Sequence, residues 1–526
     1  MGAGWVSGPW DRLRQDGERA RGGPGKEHAA GRRPGRIRPG SAPAPVGMLA
    51  AMPPSPSTRP QAAAPPLRDR GDACPGALRL HQAADGHLAR IRLPAGDLTV
   101  RQATALADAA DLLGDGHLSL TSRGNAELRG LAEDCGGRLA ALLRDAGLLP
   151  SERHERIRNI LASPLAGLDR HTPSDVRRWA RELDALLCAS ESATALSGRF
   201  LFVLDDGRGD VAALGGDVSL LAEPAGDGAG PAGGALLRVG DDPAALRIAG
   251  PDAPRAALTA AEAFLTAAAA SGSGAWRVRE LPDGHRLRAV DVAEALRSAG
   301  IEAAYVAEAP ASATRTSPPY APSFAPPYAD SAAPGIVEGP DGDRALSVLA
   351  PLGRLSVAQW RLLTAIAGAD GSGALRLTPW RGIVLPGLPA ATAPDRLAEL
   401  TTAGLITDPA SPWHRLGACT GRPGCAKSRT DVRADATAAV AAGTTVPDEA
   451  PTGSPPLGVP FSPAGVPVYW SGCERRCGHP HGTWVDVLAT AEGYRVALVD
   501  PDTAATGTPT GAPPAARTKA PPPPAP

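Results

Sequence analysis

The chain repeats itself, and the repetition limits its fold more than any other feature. "GHLARIRLPAGDLTVRQATALADAADLL" followed by "HLSLTSRGNAELRGL" is answered much later by "RALSVLAPLGRLSVAQWRLLTAIAG" followed by "ALRLTPWRGIVLPGL". Each copy predicts strand, turn, helix, strand, hairpin, strand. In the first, Leu88, Arg90 and Arg92 alternate with Ala89, Ile91 and Leu93, a period of two that belongs to a strand. In the second, Ser356 stands where a helix N-cap belongs, ahead of a helical stretch over 357–367. The likeness continues beyond these segments. "RIRNILASPLAG", with a helix expected over 174–187, is answered by "HRLGACTGRPGCAKSRTDVRADATAAV", and "SGRFLFVLDDG" by "VPVYWSGCERRCGHP". The order of elements is the same in both, so the expectation is a duplicated α+β scaffold.

Composition marks out what lies around the copies. Residues 1–70 are rich in Gly, Pro and Arg with no apolar period and predict a disordered extension; "APPPPAP" closes a disordered tail over 503–526. A Pro/Ser/Ala tract over 309–335 predicts a linker between the halves. The formal net charge is -1, so the whole chain sets up no field for nucleic acid. No apolar run approaches the roughly 20 residues that span a bilayer, and no secretory signal is recognisable. A cytoplasmic location without membrane contact is expected. Cysteines stay reduced there, and clustered ones serve metals or chemistry.

The chain has 7 cysteines. Cys419 and Cys425 form C-x5-C, and Cys473 and Cys477 form C-x3-C within "SGCERRCGHPHG". Two pairs of thiolates on glycine-bearing turns suit an iron–sulfur cubane, in which each iron takes one thiolate. Gly421, Gly424, Gly472 and Gly478 would let backbone N–H groups approach its sulfides. Lys427, Arg475 and Arg476 would offset its charge. A structural zinc prefers shorter spacing than x5, and a disulfide is disfavoured by compartment. Cys135 and Cys188 fall in or beside helical stretches and are expected to be buried thiols, whereas Cys74 is a candidate to face the active site.

Together these motifs resemble the sirohaem nitrite/sulfite reductase superfamily. C-x5-C followed by "SGC-x3-C" is similar to its cluster motif; "LTSRGNAEL" and "RNILASP" are similar to two of its arginine-bearing segments. Within it, "ACPGALRLHQAADGHLARIRLPAG", "SPLAGLD", "LTPWRGIVL" and the His-Pro after Cys477 resemble the precorrin-3B synthases of aerobic cobalamin biosynthesis. The resemblance covers about 72–500. It implies two ferredoxin-like half-domains at 72–132 and 336–406. A larger α+β domain without cluster cysteines would fill 133–308, and a cluster domain 407–502. The halves would be related by a pseudo-twofold axis around a tetrapyrrole cleft. It also implies a 4Fe-4S cluster on Cys419, Cys425, Cys473 and Cys477. In sirohaem members the cysteine at the place of Cys477 bridges to the tetrapyrrole iron.

The activity implied is an iron–sulfur oxidoreductase of monooxygenase type. Its substrates would be precorrin-3A and oxygen, and its reaction hydroxylation with γ-lactone formation. Electrons would come through the cluster from an external donor, an NADH-linked reductase or a ferredoxin, since no dinucleotide-binding turn follows a strand. A mononuclear non-haem iron is implied too; its ligands are not legible, with His81, His117, His479 and His481 as candidates. Precorrin-3A carries eight carboxylates, which need paired cations when buried. Arg123, Arg158 and Arg199 are the candidates at family motif positions. Arg79, Arg90, Arg92, Arg129, Arg376 and Arg381 are candidates to bind the tetrapyrrole, and Arg156 lies beside them. Arg199 stands in "SGRFLF", where sulfite reductases carry lysines that hold the oxyanion; one of those cations is lost. The alternatives are a sirohaem-dependent nitrite or sulfite reductase and a non-catalytic tetrapyrrole-binding electron carrier.

Overall fold

A computed structural model describes residues 72, 74–170, 176–224, 233–307, 332–340, 342–447, 466–480 and 482–500. The two tails expected to be disordered, most of the expected linker and His481 lie outside the described residues. The first half consists of β1 (His81–Ala83), β2 (Gly86–Ile91), β3 (Asp97–Thr99), helix α1 (Val100–Leu112), β4 (His117–Leu120), β5 (Ala126–Leu131) and α2 (Gly136–Asp145). A larger domain follows, with β6 (Ile160–Ala162), α3 (Arg177–Ala189), β7 (Phe202–Asp205), β8 (Val218–Glu223), β9 (Gly234–Val239), β10 (Ala245–Ala249), α4 (Ala253–Ser271), α5 (Ala289–Ser298) and β11 (Ala304–Val306). The second half has β12 (Gly335–Glu338), β13 (Arg344–Leu349), β14 (Arg354–Ser356), α6 (Val357–Ala369), β15 (Ala374–Leu377), β16 (Gly382–Leu388) and α7 (Ala393–Thr402). The last domain has β17 (Leu416–Ala418), α8 (Val432–Ala441), β18 (Val468–Ser471), β19 (Trp484–Ala489) and β20 (Tyr494–Val499).

Local sequence fixes the same start for α1 and α6. Thr99 Oγ1 accepts from the Gln102 N–H while Gln102 Oε1 accepts from the Thr99 N–H, a reciprocal capping box. Ser356 and Gln359 make the same pair of bonds. Ahead of each cap, a non-glycine residue takes the left-handed region, Ala95 at φ 58° and Leu352 at φ 51°. Each is followed by a glycine that also has positive φ. The chain thereby makes the same sharp turn into β3 and into β14.

Those two short strands are exchanged between the halves. One sheet has the order β1-β2-β5-β4-β14, and the other β12-β13-β16-β15-β3. Leu355 of β14 pairs with Leu118 of β4, and Leu98 of β3 pairs with Leu375 of β15. All four leucines are buried. Helices α1 and α6 pack against each other on the same axis. Trp360 of α6 is fully buried and donates its Nε1–H to Ala103 O of α1 at 2.8 Å. The small side chains Ala103, Ala107 and Ala110 line the buried face of α1, which lets the large indole in.

The two remaining domains share one topology. Strands β6, β7 and β8 run parallel and β9 antiparallel; β17, β18 and β19 run parallel and β20 antiparallel. The first adds β10 and β11 and two helices, and packs Phe200 against Phe202 and Phe264. The second is smaller and sets Trp470 edge-on to Tyr494. In both, a turn follows the carboxyl end of each of the first two parallel strands, at Ser163 and Asp206 in one and at Cys419 and Gly472 in the other. Among the described residues no helix is long and apolar enough to cross a membrane.

Candidate functional site: a cysteine-bearing turn beside an arginine-lined cleft

Cys419 follows β17 and Cys473 follows the neighbouring β18, so strand pairing alone brings the two cysteine turns together. The Cys419 N–H donates to Trp470 O at 3.0 Å, and the Gly472 N–H donates to Cys419 Sγ at 3.3 Å. The turns are knitted further by the Arg429 N–H, which donates to Gly472 O at 2.9 Å. A Cβ on Gly472 would sit 1.8 Å from Ser428 Oγ, so only glycine allows this approach. Burial pushes the Cys419 thiol up, the N–H groups of Gly472 and Gly421 pull it back, and the neighbouring Cys425 and Cys473 push it up again. Cys477, at the far end of its turn, is exposed.

A tetrahedral zinc with bonds of about 2.3 Å needs its sulfurs roughly 3.8 Å apart. Among the described residues, no three of these thiols lie mutually within 4.8 Å. The Gly472 N–H that already points at Cys419 Sγ is the kind of donor an iron–sulfur site uses to tune its sulfurs.

The first copy carries the same turn without sulfur. Ser163 stands at the place of Cys419: its N–H donates to Leu204 O at 3.1 Å, and its Oγ accepts from the Asp206 N–H at 3.1 Å. The turn after β7 is then held by a carboxylate. Asp205 accepts from the N–H groups of Gly207, Gly209, Val211 and Ala212. Asp205, Asp206 and Asp210 lie close enough to hold an ion. However, Asp205 is engaged by backbone donors and Asp206 by Arg208, so the group reads as a capped turn. Asp210 Oδ2 is buried without a hydrogen-bond partner, and burial followed by the charge of Asp205 pushes its carboxyl up to about 7.

A cavity of about 600 Å³ opens between the halves, within the range of cofactor and ligand sites. Its wall carries Arg123, Arg277, Arg279, Arg381 and Arg415 against Asp217 and Asp241. Trp380, Trp413 and Tyr469 supply flat apolar faces, and Gly478, His479 and Pro480, directly after Cys477, form one edge. The cleft and the cysteine turn therefore share a stretch of backbone. Arg277 pairs with Asp217, which also accepts from the N–H groups of Leu201 and Val278. Among the described residues the Arg123 guanidinium makes one long bond, to Gly198 O at 3.5 Å, and burial, then the charge of Arg277, pushes it down to about 10. A cation held in that state gains from an incoming anion.

Of the arginines expected to bind the ligand, Arg123 and Arg381 line this cavity. The others do not, and for those that are buried the reason is the cost of burying an unpaired cation. Arg158 is buried and holds both oxygens of Asp184 at 2.6 Å, with a third bond to Leu148 O. Arg199 is exposed, with its guanidinium 4.6 Å from the Trp276 ring centroid. Arg79 is exposed and donates to Asp72 O, as Arg156 does. Arg90 and Arg92 are not a clamp. Arg90 pairs with Glu127, and Arg92 is buried between Arg156 O and Gly198 O. Arg129 grips Asp85 and Glu127 and donates to Gly424 O, stitching the first half to the C-x5-C turn. Arg376 donates to Pro164 O and Ala166 O, a bond between copies. Cys74 is half-buried beside Asp72 and is not among the cavity-lining residues, Cys135 is buried and Cys188 half-buried.

Among the described residues, the one group of side chains close enough to hold an ion, Asp205 with Asp206 and Asp210, contains none of the candidate histidines. His81 lies on an exposed edge strand, and His117 Nδ1 contacts Asp115 O. His479 stacks on Trp484 with ring centroids 5.2 Å apart and lines the cleft. Sequence reading missed Arg277, Arg279, Arg415 and His414. One signal was available for the last: His414 precedes β17 as Arg158 precedes β6 in the other copy.

Comparisons with known proteins agree with this architecture. The model of the nitrite/sulfite reductase ferredoxin-like half domain matches twice, over residues 81–145 and 337–403. The chain is 27% identical over 426 residues to a precorrin-3B synthase of a Sinorhizobium species, covering 81% of this chain and 82% of that protein. It is 33% identical over 127 residues to a ferredoxin–nitrite reductase of Synechococcus elongatus, covering 23% of this chain and 25% of that protein. The solved structure of the NirA protein of Mycobacterium tuberculosis is similar with a TM-score of 0.58 at 18% identity, covering 78% of this chain and 73% of that one, a likeness of fold. The chain thus has the duplicated nitrite/sulfite reductase fold, two ferredoxin-like half domains interlocked across one cleft, and along most of its length its sequence resembles precorrin-3B synthase.

Proposed function

We propose that the chain is an oxidoreductase of the precorrin-3B synthase type, acting on precorrin-3A with oxygen and an external electron donor. The observation that carries this is the arginine-rich cleft bounded by the turn that bears Cys473 and Cys477. A 4Fe-4S cluster on Cys419, Cys425, Cys473 and Cys477 would supply single electrons at that edge. The chain's own residues bind and orient. Arg123 and Arg381 pair with carboxylates of the macrocycle, and Trp380, Trp413 and Tyr469 offer it flat faces. Asp217 holds Arg277 in place and offsets part of the repulsion among the arginines of the wall. One oxygen atom enters the macrocycle, with γ-lactone formation, and the other leaves as water; the donor, an NADH-linked reductase or a ferredoxin, supplies two electrons and two protons.

Protein purified without oxygen should carry about four iron and four sulfide per chain, lose both in Cys425→Ser or Cys473→Ser, and contain no sirohaem. It should bind precorrin-3A, and Arg123→Ala should weaken that binding by roughly tenfold to a hundredfold, one charge-assisted bond, with the cluster spectrum unchanged. A colourless zinc protein would refute the cluster. Stoichiometric sirohaem, with sulfite or nitrite reduced and precorrin-3A ignored, would assign the chain to the reductases instead.

A further inference from the structure

The two halves make the same turn on the cleft wall with one difference. Gly124 has φ 63° and donates its N–H to Thr121 O at 3.1 Å; Arg381 has φ 61° and donates its N–H to Thr378 O at 3.1 Å. The next N–H, of Asn125 or Gly382, donates to the threonine hydroxyl in each copy. Arg381 therefore takes a glycine's place, and Trp380 answers Arg123. A side chain in the left-handed region is strained, and such strain points to a role. Glycines from three other segments clear the space for this side chain, two of them for Tyr469 as well. A Cβ on Gly353 would lie 2.3 Å from Arg381 Cδ, one on Gly417 3.2 Å from Nη1, and one on Gly478 3.2 Å from Nη2.

What the position gains is contact with the backbone directly after the last cysteine. Arg381 Nη2 donates to Gly478 O at 3.0 Å, and its guanidinium lies 5.6 Å from the Tyr469 ring centroid. The Tyr469 hydroxyl donates to Cys477 O at 2.6 Å. Two successive carbonyls, at Cys477 and just after it, are thus held by an arginine–tyrosine pair, and both residues also line the cleft.

We propose that Arg381 is a positioning residue that ties occupancy of the cleft to the setting of Cys477. It fixes the peptide after that cysteine and presents the same positive charge to an anionic ligand, so that a bound ligand alters the charge the cluster experiences. The proposal rests on reading the four cysteines as cluster ligands and the cleft as a carboxylate site.

The test compares full-length wild type with Arg381→Gly, which suits the left-handed backbone, and Arg381→Lys, which keeps the charge. Iron and sulfide content and the paramagnetic signal of the reduced protein report the cluster. A redox titration gives its midpoint potential with and without sirohydrochlorin, an iron-free isobacteriochlorin with eight carboxylates. Wild type should show a potential that moves when sirohydrochlorin binds. Arg381→Gly should retain the cluster, show a lower potential because a nearby positive charge is gone, lose the ligand-induced movement, and bind sirohydrochlorin roughly tenfold to a hundredfold more weakly. Arg381→Lys should recover part of the binding but not the ligand-induced movement, since it cannot both hold Gly478 O and face the ligand. A wild-type potential indifferent to sirohydrochlorin, or an Arg381→Gly protein with intact cluster and unchanged potential and response, overturns the proposal. Wild type without any cluster overturns the reading on which it rests.

Discussion

Arginine does two jobs in this molecule, structural pairing and lining the cleft. Lysine occurs only at Lys26, Lys427 and Lys519, so nearly every cationic contact falls to a guanidinium. Most of the arginines outside the cleft are spent on carboxylates or on backbone carbonyls. Arg158 is the clearest case, and Arg158→Ala would leave Asp184 without its partner. It should lower stability by about 3 kcal/mol in chemical denaturation while the folded fraction binds precorrin-3A normally. Lost ligand affinity at unchanged stability would return Arg158 to the site. A second residue-scale prediction concerns Asp210. Its carboxyl is pushed up to about 7 in the folded protein, against an ordinary value of 3.8. The folded state therefore keeps a proton that the unfolded chain gives up. This contribution to stability is complete below about pH 4 and is lost as pH rises towards 7, of the order of a few kcal/mol in all. Asp210→Asn mimics the protonated acid, and its urea midpoint should vary less than that of wild type between pH 5 and pH 8. An equal pH dependence in the two proteins would contradict the assignment.

At the scale of elements, what is local in sequence was legible and what is paired across the chain was not. Ser356 and Thr99 announce α6 and α1 because a cap and its Gln partner lie within one turn. The four cysteines stand out because their spacing is itself chemistry. The exchange of β3 and β14 leaves no such mark. Each is only 3 residues long, and its partner strand lies in the other copy. The cleft residues Arg277, Arg279 and Arg415 sit in "GAWRVRE" and "SPWHRLGA", which carry no motif and become neighbours only when the copies close on each other. Reciprocal exchange has a consequence. A chain of residues 72–307 alone lacks β14, and its β3 lacks a partner. Made alone, it should associate or unfold without cooperativity, and made together with residues 332–500 it should form a one-to-one complex. Size-exclusion chromatography and thermal melts would show this; a monomeric, cooperatively folding half would contradict the interlocked architecture.

The whole molecule is a duplicated scaffold that has become asymmetric. One copy builds its turn around sulfur, and the other builds the matching turn around the Asp205 carboxylate. The cleft between them carries five arginines against two aspartates in a chain whose overall charge is only -1. Local concentration of charge, not net charge, is what would draw a polyanionic macrocycle, and its affinity should fall with added salt. The central claim is that this cleft presents precorrin-3A to oxygen next to an electron-carrying cluster. The most direct measurement supplies haem-free protein with precorrin-3A, isotopically labelled oxygen and an electron source, and follows the macrocycle by mass spectrometry. The account predicts one labelled oxygen atom in the tetrapyrrole product, and none from the Cys473→Ser protein. Unchanged precorrin-3A from a protein that contains its cluster and binds the substrate would contradict it.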